Sequence, residues 1–242
     1  MPDQLDLGGP TPEDRRITAD DPVALDRAAT VLRVGGTVIV PTDTVYGVAA
    51  LPLVRGATEQ LFTLKGRSSD QPLAVLVADV DQALTLIEPL VEPLGPAVAR
   101  WMVDLWPGPL TLVLRRSPVA AGLALGSGTS TIGVRCPDHR FARALAGEVG
   151  PLATTSANRH GEATPRSASA AAAALTGPVE LIVDGGLAGA VASMVVDATF
   201  DPWRILRVGA IAAEHMTGQV DGAGDAHRAH RWARQRRRKT SP

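Results

Sequence analysis

Thr42, Asp43, Thr44 and Tyr46 set two hydroxyls, a carboxylate and the chain's only phenol within five positions. Gly47 follows, a residue type that lets backbone approach a ligand closely. Further along, Lys65 and Arg67 precede an apolar run, Ser156 and Asn158 follow another, and Arg135 and Arg207 stand at the ends of two more. Fixed cations beside hydroxyl and amide donors suit a phosphate-bearing ligand. Lys65 adds weight, because the only other lysine is Lys239. Two plainer accounts use the same residues: a capped polar turn between a strand and a helix, and a scatter of solvated surface charges. Other chemistries lack their signatures. There is no GxxxxGK[ST] loop and no GxGxxG after a strand. The five histidines have no metal-ligand spacing with Cys136 or the acids, and no base stands beside a candidate nucleophile. His139 and His160 read as solvent-facing turn residues, and Cys136 as a small hydrophobe at a strand end.

The elements that must position these groups alternate steadily. Asp21-Pro22 reads as a cap with proline at the first helical position, and Leu25, Ala28, Ala29 and Leu32 share one helical face before Gly35. Thr37–Val40 is a β-branched run ended by Pro41, hence a buried strand. A short helix over Thr58–Leu64 leads to a polar loop and a buried strand over Leu73–Ala78. Asp79 with Gln82 forms a capping box for a helix to Ile87. A further helix runs through Trp101 and Leu105. Strands at Leu110–Leu114, Thr131–Arg135 and Leu152–Thr155 follow, with a helix capped by Asp138 between the last two. An Ala-rich helix over 168–175 precedes three short strands, at Leu181–Val183, Met194–Ala198 and Arg204–Leu206. One α/β domain with a mixed sheet over residues 21–217 is the simplest architecture. Its strand ends are expected to converge on one crevice.

Length and charge bound the rest. A chain of 242 residues with 45% hydrophobic residues can bury a sizeable core. No apolar run reaches the length of a bilayer span, and a single cysteine excludes an internal disulfide. A cytoplasmic protein with no membrane contact is expected. The net charge of −1 hides an asymmetry: seven of the 24 basic residues lie in Arg228–Lys239, leaving 17 against 25 acids elsewhere. Residues 1–20 read as a loose leader, and 218–242 as a basic, disordered tail able to contact RNA or an acidic partner.

Seven motifs in order resemble one family. They are Pro41-Thr-Asp-Thr-Val-Tyr-Gly47, Lys65-Gly-Arg67 with Pro72-Leu73, Trp106-Pro-Gly-Pro-Leu-Thr111, Gly133-Val-Arg-Cys-Pro137, Thr155-Ser-Ala-Asn158, Ser193-Met-Val-Val-Asp197 and Leu206-Arg-Val-Gly209. Together, over roughly residues 21–212, they resemble the YrdC-like L-threonylcarbamoyladenylate synthases of the short, single-domain type. The resemblance implies a twisted mixed sheet around a large, concave, positively charged ligand cavity. It also implies formation of threonylcarbamoyl-AMP and pyrophosphate from L-threonine, bicarbonate and ATP. That product would pass to a tRNA-modifying threonylcarbamoyl transferase complex.

Carried onto this chain, the resemblance gives Thr44, Arg135, Thr154 and Ser193 to threonine. It gives Lys65, Arg67, Gln71, Thr131, Ser156, Asn158, Thr164 and Arg207 to ATP, with Lys65 and Arg67 as the catalytic cations. Mg²⁺ would be held mainly by the phosphates, with no protein metal site. Ser68, Leu76, Met194 and Val208 depart from residues usual in the family. A carbamoyl-AMP-dependent carbamoyl transferase and a non-catalytic RNA-binding module of the same fold are the alternatives.

Overall fold

A computed structural model describes residues 14–127 and 130–212. The elements are β1 (Arg16–Thr18), α1 (Ala24–Arg33), β2 (Val38–Val40), β3 (Gly47–Ala50), α2 (Ala57–Lys65) and β4 (Ala74–Leu76). There follow α3 (Val80–Leu86), α4 (Gly95–Leu105), β5 (Leu110–Arg115), a 3-10 turn (Pro118–Gly122), β6 (Thr131–Arg135) and α5 (Arg140–Val149). Then come β7 (Leu152–Ser156), α6 (Ala168–Ala173), β8 (Leu181–Asp184), β9 (Met194–Asp197) and β10 (Arg204–Arg207). All ten strands form one mixed sheet in the order β1-β8-β2-β3-β7-β4-β6-β5-β9-β10. The α/β class and mixed sheet expected from the alternating pattern are present. The basic tail falls outside the described residues. Among the described residues, no helix is long and apolar enough to cross a membrane.

Alternation along each strand divides the core between the two sheet faces. Val38 and Val40 pack with α1 and α5 through Leu32, Phe141 and Leu145, while Ile39 joins Tyr46, Leu61 and Trp101 on the other face. Near-continuous apolar strands follow from having helices on both sides. Trp101 is fully buried and meets Trp203 edge-to-face at 5.4 Å between ring centroids. Trp101→Ala is expected to cost about 3–5 kcal/mol and lower the melting temperature by roughly 6–20 °C, read by calorimetry.

Several local expectations are corrected. Arg16–Thr18, inside the stretch read as a loose leader, pair in parallel with β8. Helix α1 begins at Ala24, so Pro22 precedes it, and Asp21 accepts from the Val23 N–H at 3.0 Å. Asp138 does not cap α5, whose N-cap is His139 without a side-chain bond. The Asp138 backbone N–H donates instead to Asp43 Oδ1 at 3.1 Å. Asp79 does cap α3, accepting from the Gln82 N–H at 2.8 Å, while Gln82 reaches back to the Ala78 N–H at 2.9 Å. The largest change is β3. Thr42–Tyr46 connects two antiparallel strands, β2 and β3, rather than a strand and a helix.

Candidate active site

The Thr42–Tyr46 connection holds itself in shape. Thr42 Oγ1 accepts from the Thr44 and Val45 N–H groups, at 3.3 and 3.2 Å, and donates to the Val45 carbonyl at 2.6 Å. Such hydroxyl-to-backbone bonds replace the missing ladder in a turn. Tyr46 turns away from the connection into the core. Its hydroxyl donates to the Gly186 carbonyl at 2.6 Å and accepts from the Gly185 N–H at 3.1 Å. Tyr46 therefore anchors the turn to the end of β8 and contributes no chemistry to the cavity. Gly47 is needed for close approach, but the space goes to protein: a Cβ there would lie 2.7 Å from Thr154 Cγ2.

Beside this turn lies a cavity of about 490 Å³. It lies on the sheet face, and the strand-end residues Arg135, Ser156 and Arg207 converge on it. Alternation explains its lining: Thr111 and Val113 on β5, Thr131, Gly133 and Arg135 on β6, Ala74 and Leu76 on β4, Thr154 and Ser156 on β7. Leu76 also packs with Phe141 and Leu145, so the cavity shares the face of α1 and α5 where those helices leave the sheet uncovered. Gly133 and Ala74, with no side chain and a single methyl, keep its floor low; a Cβ on Gly133 would fit in ordinary contact with Thr111 at 3.7 Å.

Lys65 enters from the last turn of α2, which Gly66 ends in the left-handed conformation at φ +64°. Its ammonium is buried and donates to the Ser156 carbonyl (2.8 Å) and hydroxyl (3.0 Å), and to the Asn158 carbonyl (3.1 Å) and Oδ1 (2.8 Å). Every acceptor is neutral. Burial, then repulsion from Arg67 and Arg207, pulls the Lys65 pKa down to about 8. Arg67 donates to the Gln71 and Pro72 carbonyls and stacks over Phe62 at 5.6 Å. Arg207 donates to the Ser193 carbonyl and hydroxyl at 3.0 and 2.9 Å.

Arg135 is held by three residues from two separate segments. Its Nε donates to the Gly108 carbonyl at 3.0 Å, Nη1 to Thr44 Oγ1 at 2.7 Å, and Nη2 to Asp43 Oδ1. The Trp106-Pro-Gly-Pro turn exists in part to present that carbonyl. The Trp106 indole N–H donates to the Leu110 carbonyl at 2.7 Å, and a Cβ on Gly108 would lie 2.4 Å from the Leu105 carbonyl oxygen. Burial lowers the pKa of Arg67, Arg135 and Arg207, and Asp43 partly opposes this at Arg135. All three guanidinium groups stay charged at neutral pH. Four cations thus line one cavity, and no carboxylate does among the described residues.

The structure brings together most of the residues singled out in the sequence. Lys65, Arg67, Thr131, Arg135, Thr154, Ser156, Asn158, Ser193 and Arg207 all line the cavity. Thr44 lies behind Arg135, buried, and is joined to the lining through Arg135 and through the Thr42 hydroxyl at 3.1 Å. Gln71 is exposed and contributes its backbone carbonyl to Arg67; Thr164 is outside the lining. Several lining residues were given no ligand from the sequence, the polar His160, Thr111 and Thr155 among them. His160 is exposed but borders the cavity, with its backbone N–H on the Lys65 carbonyl at 3.1 Å. His139 is half-buried, not solvent-facing, and its Nδ1 has no partner. Thr111 is a lone hydroxyl between core residues Leu110 and Leu112. That alternation was the available signal. Cys136 is buried with its thiol on the Ala78 carbonyl at 3.4 Å, and burial pushes its pKa up to about 11. It is inert.

The Sua5/YciO/YrdC family model, described as telomere recombination, matches residues 30–209. The chain belongs to this family. It is 37% identical over 206 residues to the threonylcarbamoyl-AMP synthase of Bacillus subtilis, covering 84% of this chain and 58% of that protein. It is 35% identical over 190 residues to the putative threonylcarbamoyl-AMP synthase of Mycobacterium tuberculosis H37Rv, covering 78% of this chain and 85% of the relative. The crystal structure of Pyrococcus abyssi Sua5 complexed with L-threonine superposes with a TM-score of 0.72 at 35% identity, covering 81% of this chain and 57% of that one. The chain thus spans a little over half the length of the B. subtilis and P. abyssi family members.

Proposed function

We propose that this chain is an L-threonylcarbamoyladenylate synthase, joining L-threonine, bicarbonate and ATP into threonylcarbamoyl-AMP with release of pyrophosphate. The observation that carries this reading is the cavity: four cations and, among the described residues, no carboxylate facing a volume of about 490 Å³, in a chain of the Sua5/YciO/YrdC family. A polyanion is the natural occupant of such a site. Lys65, Arg67 and Arg207 hold the ATP phosphates, with Thr131, Ser156 and Asn158 as neutral contacts. Arg135 receives the threonine carboxylate on the N–H groups left by Asp43, Thr44 and Gly108, with Thr154 beside it. The threonine amine adds to bicarbonate with loss of water, giving a carbamate. A carbamate oxygen then bonds to the α-phosphorus as the bond to pyrophosphate breaks. Such a step needs positioning and charge neutralisation, which the cations supply without a protein nucleophile.

Among the described residues the lining offers no carboxylate to hold Mg²⁺, so in this reading the ion arrives on the ATP phosphates. The product passes to a tRNA-modifying threonylcarbamoyl transferase complex, and the basic tail is available for tRNA. The test is incubation with ATP, threonine and bicarbonate, followed by mass detection of threonylcarbamoyl-AMP. Product that requires all three substrates is the expected result. ATP binding without product would favour a carbamoyl transferase, and salt-sensitive RNA binding without ATP turnover an RNA-binding module. Deleting residues 219–242 is expected to leave synthesis unchanged, because every assigned side chain lies between Thr44 and Arg207. Loss of synthesis on deletion would make the tail part of the site.

A further inference from the structure

Arg207 is badly placed to be held by the sheet. It ends β10, an edge strand with mostly exposed residues, and the register slips between Ile205 and Arg207. An irregularity at an unpaired edge leaves a side chain's direction undetermined by the ladder. Yet the guanidinium is fixed. Nε donates to the Ser193 carbonyl and Nη2 to the Ser193 hydroxyl. That hydroxyl is in turn 2.9 Å from Thr111 Oγ1, and both side chains are buried. Thr111 lies on β5, which pairs in parallel with β9, so the Thr111 hydroxyl comes from a strand deep in the sheet.

We propose that Thr111 and Ser193 form a latch that aims Arg207 at the nucleotide, with Thr111 a positioning residue that acts through Ser193. The inference rests on the assignment of Arg207 to ATP in the preceding section. A serine hydroxyl has one proton and two lone pairs. One lone pair takes the Arg207 N–H, and the contact with Thr111 fixes the remaining direction. Without Thr111 the Ser193 hydroxyl is free to rotate, and the Arg207 fork loses its second anchor. Chains of such bonds polarise one another in a buried setting, so the latch is stronger than its separate contacts. The latch leaves one hydrogen-bonding direction of the Ser193 hydroxyl open toward the cavity, which Ser193 lines.

The experiment measures binding of α,β-methylene-ATP and of L-threonine separately by calorimetry, in wild type and five variants. Thr111→Val is expected to weaken nucleotide binding roughly fivefold, the scale of one net hydrogen bond, with threonine binding unchanged. Thr111→Ser, which keeps the hydroxyl, is expected to restore it. Ser193→Ala probes the latch from its other end and is expected to match Thr111→Val. Arg207→Ala is expected to lose roughly tenfold or more. In Thr111→Val/Arg207→Ala the first substitution is expected to add nothing further, because the two act as one unit. An unaltered nucleotide affinity in Thr111→Val and Ser193→Ala, or full additivity in the double variant, overturns the latch while leaving the synthase reading intact. A wild-type protein that binds no nucleotide overturns the synthase reading itself. Melting curves confirm that each variant is folded.

Discussion

At pH 8.5, ATP binding is expected to take up about half a proton or more per site in the wild-type protein and none in Lys65→Arg. The reason is the surroundings of Lys65. Its ammonium is buried among neutral acceptors, and burial with Arg67 and Arg207 lowers its pKa to about 8. Just above that pH the free protein has largely lost the proton. Triphosphate brings the negative charge the cavity lacks, which raises the pKa and draws the proton back. Calorimetry in buffers of different ionisation enthalpy reads the uptake directly. Arginine stays charged throughout, so its variant has nothing to take up. ATP affinity should also decline as pH rises through 8, and Lys65→Met should lose roughly 10- to 100-fold at neutral pH.

The same shift acts on folding with a defined sign. The unfolded lysine keeps its proton to about 10.5, so above pH 8 the unfolded state binds more protons and the free fold gains stability. Cys136, whose thiol is raised to about 11, acts in the opposite direction once pH passes 9. The clean window is therefore pH 8–9, and the comparison is wild type against Lys65→Met. A binding reaction with no proton exchange, or uptake that survives in Lys65→Met, would remove Lys65 from the phosphate site.

Arg135→Ala is expected to damage stability and threonine binding together, and a second variant separates the two. Arg135 is 5% exposed, and its guanidinium is the partner of a carboxylate, a hydroxyl and a carbonyl. Its removal leaves Asp43 partly buried without a cation, which typically costs about 3–5 kcal/mol. For a chain of this length that is a fall of roughly 6–20 °C in melting temperature. Threonine affinity is expected to fall roughly 10- to 100-fold as the charge-assisted pair to its carboxylate disappears. Asp43→Asn/Arg135→Met removes both charges and keeps an acceptor for the Asp138 N–H. It is expected to recover much of the stability but none of the threonine affinity. Recovery of threonine binding in that double variant would show Arg135 to be purely structural.

Local chemistry made many of the elements and the family legible in the chain. Val38–Val40 reads as a buried strand because three consecutive β-branched residues suit a sheet covered on both faces, and it is one. Asp79 and Gln82 announce the start of α3 by themselves, since capping is a contact across three residues. The cations and hydroxyls of the site were equally visible as residue types out of place beside apolar runs.

What lay beyond the sequence depended on partners far away in the chain. Gly47–Ala50 carries one β-branched residue and is a strand because β2 and β7 bond to it on either side. Arg16–Thr18 is likewise ordered by β8, 166 positions away at Arg16↔Ile182. The cavity's place on the sheet face follows from strand order, which sets side by side the alternate residues of β4, β5, β6 and β7. Tertiary structure also decided what each cation does at rest. Arg135 meets Asp43 across 92 positions and Lys65 meets Asn158 across 93, so pairing and burial at these groups are properties of the assembled sheet. A motif records that a charge is present; only the fold determines which charges are already matched and which still lack a counter-charge.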